Sequence, residues 1–135
     1  MGLDMYAYTM PNSLIGDQQT DIKLPGEGYD SQEVNMDFDY FRKFHQLHGW
    51  MRRLYAAKGG QSEEFNCNTV RLMPEDIDAL ERDASGTLPD EEGFFFGNYP
   101  DNGFDDERKR ELAEFIAKCR EAFAEGRAVV YDSWW

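Results

Sequence analysis

Leu112, Phe115, Ile116, Cys119 and Phe123 recur at spacings of 3, 1, 3 and 4, the repeat of an apolar stripe along one side of a helix. Asp105 and Asp106 supply an N-terminal cap and Gly126 a stop, which predicts a helix over 105–125. The chain then passes directly into Ala128-Val129-Val130-Tyr131-Asp132-Ser133-Trp134-Trp135, a run of strand formers. A one-sided helix followed at once by a strand has to lay its apolar side on a sheet.

The rest of the chain supplies candidates for that sheet and its cover. Residues 3–10 alternate loosely and read as a first strand. Residues 11–36 show no period, hold Pro11, Gly16, Pro25, Gly26 and Gly28, and read as a long loop or insertion. Tyr40, Phe44, Leu47, Met51 and Leu54 recur at 4, 3, 4 and 3, which predicts a helix over 37–58 capped by Asp37 and stopped by Gly59-Gly60. Phe41, His48 and Tyr55 lie in a second row beside it, at the core boundary, with Arg42, Arg52 and Arg53 on the far side. Residues 65–72 read as a strand, and Pro74-Glu75-Asp76 as the first turn of a helix carrying Ile77, Leu80 and Ala84. Gly93-Phe94-Phe95-Phe96-Gly97 suits a short buried strand. The expected fold class is α+β: three helices on a small four-stranded sheet, in the order β-α-β-α-β-α-β. Residues 3–9 and 128–134 should share that sheet, with Trp134 substantially buried.

At 135 residues the chain is a single domain, 1–135. Its 41% hydrophobic and 15% aromatic content supports a core despite a mean hydropathy of -0.74. The net charge of -13 argues against direct binding of nucleic acid or of an anionic membrane surface. No apolar run approaches the length of a membrane span, and the start, Met1-Gly2-Leu3-Asp4-Met5-Tyr6, is not that of a secretory signal. Cys67 and Cys119 are expected as separate thiols of a cytoplasmic protein.

Three groups of residues could carry chemistry. His45-x-x-His48 with Cys67 has the residue types of a zinc site or of a thiolate–imidazole pair, with Arg42 as an anion clamp. The plainer reading makes His48 and Cys67 structural, with no metal and no cofactor, and turns His45 toward solvent. The second group is acidic. Twelve of the 27 Asp and Glu residues, and one basic residue, Arg82, fall between Glu75 and Glu107, so this stretch carries -11 of the -13. Either it is a solvated face, or Glu75, Asp76, Asp78, Glu81, Asp90, Glu91, Glu92, Asp101, Asp105 and Asp106 build a surface for a basic partner. The third group, Phe94, Phe95, Phe96, Trp134 and Trp135, is expected in the core, with one or two residues available to a homodimer face.

Met1-Gly2-Leu3-Asp4-Met5-Tyr6, Tyr40-Phe41-Arg42-Lys43, His48-Gly49-Trp50, Asn66-Cys67, Leu88-Pro89, Gly93-Phe94-Phe95-Phe96-Gly97 and the closing Ser133-Trp134 resemble a family of small bacteriophage and prophage proteins. Relative to that pattern, 11–36 is an insertion and the segment after Gly97 departs. The resemblance implies a phage origin and action in the bacterial host cytoplasm, and implies no activity. A phosphoglycerate kinase label attached to some members does not fit a chain this short without a Gly-rich phosphate cradle and partner lysine. Charge and resemblance together favour a phage-encoded acidic protein that binds a host protein with a basic surface. Its concrete form is an anti-CRISPR-like inhibitor of a host defence nuclease complex, whose acidic face imitates nucleic acid. The alternatives are a small enzyme using His48 and Cys67, and a phage accessory protein that binds without inhibiting.

Overall fold

The computed structural model describes residues 2–23, 33–86 and 105–135. Among these the elements are β1 (Asp4–Pro11), α1 (Asn12–Ile15), β2 (Asn35–Arg42), α2 (His45–Ala57), β3 (Val70–Leu72), α3 (Pro74–Ala84), α4 (Asp106–Ala124) and β4 (Arg127–Trp134). The four strands form one antiparallel sheet in the order β2-β1-β4-β3, so the fold is α+β. The strands at 3–9 and 128–134 are its two central members and pair along their length, from Asp4↔Trp134 to Pro11↔Arg127.

Successive side chains of a strand point to opposite faces, and here that alternation separates two cores. Met5 and Ala7 of β1 and Val129 and Tyr131 of β4 face α2, α3 and α4, joining Leu47, Met51, Ile77, Leu80, Leu112, Phe115 and Cys119 in the main cluster. Met10, Ala128 and Val130 face the other way. They pack under Ile15 and Val34 in a smaller cluster at one end of the sheet. The helix ends follow their sequence signals. The Asp105 side chain accepts from Arg108 N at 2.9 Å, and Asp76 accepts from Met73 N at 2.8 Å, each closing the first turn of its helix. Gly126 ends α4 at φ 77, a left-handed conformation that suits glycine.

The first half of the helix expected over 37–58 is a strand instead. Residues 35–42 pair with β1, Met5 opposite Phe41 and Tyr6 opposite Tyr40, and Asp37 lies within the strand rather than capping a helix. Met36, Phe38 and Tyr40 alternate with Asn35, Asp37 and Asp39, a period of two that suits a strand, while the 4, 3, 4 spacing spans the junction with α2. The open edge of β1 decides between the two by offering a ladder of hydrogen bonds, interrupted only by a register shift between Ala7 and Thr9. Lys43, at φ 55, lets the chain leave the strand, and α2 starts at His45 behind Phe44. The expected strand at 65–72 shrinks to Val70–Leu72, because Phe65 and Cys67 hold φ of 49 and 60 and bend the chain out of the ladder. The expected loop over 11–36 contributes α1 at its start and the first residues of β2 at its end. Gly93–Gly97 lies outside the described residues.

Trp134, expected in the core, is 61% exposed. Its neighbours Tyr131 and Ser133 take the inward positions of β4, so Trp134 must face out. Trp135, past the strand end, instead curls under the sheet. It exchanges hydrogen bonds with Asn66 at 3.1 and 2.7 Å, donates its indole N–H to Phe65 O at 3.2 Å, and packs on the main cluster.

Candidate functional site

The residues of the enzyme reading do not meet. His48 is fully buried on the helix-covered side, deeper than a core boundary, with Nδ1 2.7 Å from the Tyr131 hydroxyl. His45, expected toward solvent, is buried as well. Cys67 is exposed in the loop after α2 rather than set in a strand, with its backbone N–H on Ser133 O at 2.8 Å. Its thiol feels the carboxylate of Asp132, which faces away from Tyr131 and therefore from His48. Arg42 stands on β2, with β1 between it and β4.

The titration behaviour is also opposite to that of a thiolate–imidazolium pair. Burial pushes the His48 imidazole down to about 3, with Arg52 and His45 adding to the effect. Burial, and then Asp132, push the Cys67 thiol up. A nucleophilic cysteine needs a lowered thiol and a base that can hold its proton. Cys119 lies within the apolar stripe of α4, and burial raises its thiol further still. Among the described residues no three His, Cys, Asp or Glu side chains gather as a metal site.

The acidic stretch is partly tied to the fold. Asp76 receives Lys58 Nζ at 2.5 Å, and the same ammonium reaches Gln19 and the Arg71 carbonyl, so this carboxylate serves as a brace between α2 and α3. Asp83 accepts the Trp50 indole N–H at 2.9 Å. Asp105 is the cap of α4. Asp78 and Glu81 grip the Arg120 guanidinium from α3 at 2.8 to 3.1 Å, which holds the Glu81 carboxyl below the usual carboxylate range. Glu75, Asp78 and Glu81 on α3, and Asp106 and Glu107 on α4, are exposed. Asp90, Glu91, Glu92 and Asp101 lie outside the described residues.

A second surface was not singled out by the sequence reading. The outward positions of β1 are Asp4, Tyr6 and Tyr8, those of β4 include Asp132 and Trp134, and β2 adds Tyr40 and Arg42. Tyr6 packs against Tyr40 and Tyr8, with ring centroids 5.4 and 6.5 Å apart. The Tyr40 hydroxyl donates to Asp4 at 2.5 Å and the Tyr8 hydroxyl to Asp132 at 3.1 Å. Burial raises the Asp132 carboxyl above its ordinary range, against the Ser133 N–H and the Tyr8 hydroxyl that lower it. The signal was present in the sequence as Asp4-x-Tyr6-x-Tyr8, one face of a strand, but its partners are distant along the chain: Tyr40 is 36 residues from Asp4, and Asp132 is 124 from Tyr8.

Comparison with known protein families, with curated proteins and with solved structures finds no match. No helix of the described residues is long and apolar enough to cross a membrane.

Proposed function

We propose that this chain is a phage-encoded protein that works by binding a basic surface of a host protein in the bacterial cytoplasm. The reading takes its most concrete form as inhibition of a defence nuclease complex by occupation of a nucleic-acid channel. One observation carries it: the stretch Glu75–Glu107 holds -11 of the net -13, and its described part displays Glu75, Asp78, Glu81, Asp106 and Glu107 to solvent on two helices. Duplex DNA presents one charge per ~1.7 Å of axis, so a channel built for it attracts carboxylates spread over a rigid surface. Arg120, clamped between Asp78 and Glu81, joins α3 to α4 and supplies that rigidity.

The test measures binding of the purified chain to guide-loaded defence nucleases, in competition with target DNA, at low and high salt. Wild type is set beside Glu75→Lys, Asp106→Lys and Glu107→Lys, with Glu63→Lys and Glu64→Lys as controls outside the stretch. Competition that weakens with salt and with the first three reversals, but not with the controls, supports the reading. Affinity indifferent to both overturns it.

A further inference from the structure

The sheet carries, on the face away from α2, α3 and α4, a square of alternating chemistry. Asp4 and Tyr6 stand two apart on β1, and Trp134 and Asp132 stand opposite them on β4. Directly opposed side chains on one face of an antiparallel pair begin ~5 Å apart. Two carboxylates thus sit on one diagonal of the square and two aromatic rings on the other. Both carboxylates are already oriented: Tyr40 donates to Asp4, and Tyr8 to Asp132. Among the described residues no hydrogen-bonding group or ring meets the indole of Trp134, which is 61% exposed. The small cluster that covers this face reaches Met10, Ala128 and Val130 and stops short of the square.

We infer that this square seats an arginine side chain of the basic protein partner, an inference that rests on the partner reading given above and adds a docking point to it. A guanidinium is flat, stacks on indole and phenol rings, and donates to carboxylates from its edge. A ring-and-carboxylate square offers both interactions at once. The chain's own Arg42 is opposite Asp4 on the side away from Trp134, and Asp4 takes the Tyr40 hydroxyl. The charge balance of the chain selects the occupant: a second copy would bring another -13, whereas a cationic segment is attracted. Exposed Trp and Tyr at the centre of a patch are also the residue types that carry binding energy at interfaces.

The full chain is titrated with an oligo-arginine peptide, an oligo-lysine peptide and a single-stranded oligonucleotide by isothermal titration calorimetry, which reads wild type and every variant alike. The variants are Trp134→Ala and Asp4→Asn, whose unchanged circular dichroism confirms folding, beside Glu75→Lys and Glu107→Lys on the acidic helices. The expected result is a dissociation constant for oligo-arginine raised about tenfold by Trp134→Ala, the size of a partly desolvated cation–π contact, and raised also by Asp4→Asn, which removes a charge-assisted hydrogen-bond acceptor. Oligo-lysine should bind more weakly than oligo-arginine. If Trp134→Ala leaves the constant unchanged while Glu75→Lys and Glu107→Lys raise it, the square is not the docking point and the acidic-face reading survives. If oligo-arginine binds nowhere, both fail. Self-association lost in Trp134→Ala, or binding of the oligonucleotide in preference to oligo-arginine, also overturns the assignment.

Discussion

His48 of α2 and Tyr131 of β4 meet inside the main core, imidazole Nδ1 to phenol oxygen at 2.7 Å, both rings shielded from solvent and both packed on Phe65. The pair joins a helix to a central strand 83 residues later and gives the buried imidazole a polar partner. His48 is therefore neutral in the folded protein at ordinary pH.

That neutrality sets a pH dependence. Unfolded, His48 takes a proton near its ordinary value of 6.5; folded, it resists one until about 3. Because the folded value is depressed, the contribution to stability is complete above 6.5 and is lost as pH falls toward 3. The slope approaches ~1.4 kcal/mol per pH unit once the unfolded form is protonated. Urea unfolding at a series of pH values between about 6.5 and 5, above the main carboxylate range, should show this decline. His48→Gln should flatten it. An equal slope in the variant would assign the proton uptake elsewhere.

The alternation along β4 predicts opposite outcomes for its two aromatics, Tyr131 facing inward and Trp134 facing outward. Tyr131→Ala empties the core and should cost ~3–5 kcal/mol. Trp134→Ser removes an outward ring and should move stability by no more than ~0.5 kcal/mol. Denaturant midpoints of the two variants decide the matter.

Lys58 and Asp76 form an ion pair with side chains only 14% and 13% exposed. Lys58→Met strands the carboxylate and should cost ~3 kcal/mol. Adding Asp76→Asn to that variant removes the stranded charge while an amide oxygen can still close the first turn of α3, so part of the loss should return. A double variant no more stable than Lys58→Met would place the energy in the packing of the lysine stem rather than in the charge.

The two thiols should behave differently toward a water-soluble disulfide reagent. Cys67 is exposed and should react in the native protein, slowly at neutral pH because its thiol is pushed up. Cys119 is buried between α4 and the sheet and should react only on unfolding. Thiol counting by absorbance, with and without denaturant, separates the two. Native reaction at Cys119 would mean that α4 opens readily.

Much of this architecture can be read from local pattern. The stripe of α4 and its Asp105 cap, the start of α3 at Pro74, and the strand character of residues 3–10 and 128–135 are all visible in the sequence, because spacing and capping are properties of neighbours along the chain. The concentration of acid between Glu75 and Glu107 is visible in the same way. Residues 37–44 were not legible, since Tyr40 fits both the helical spacing that runs on through Phe44 and Leu47 and the alternation begun by Met36 and Phe38, and only the vacant edge of β1 chooses the strand. Nor was the face taken by Trp134, because which half of an apolar strand turns inward depends on where the helices lie. The square of Asp4, Tyr6, Asp132 and Trp134 is the furthest from the sequence. It exists only because the first and last strands pair antiparallel in one register, and a slip of β4 by one residue would send Asp132 and Trp134 into the core and break the square.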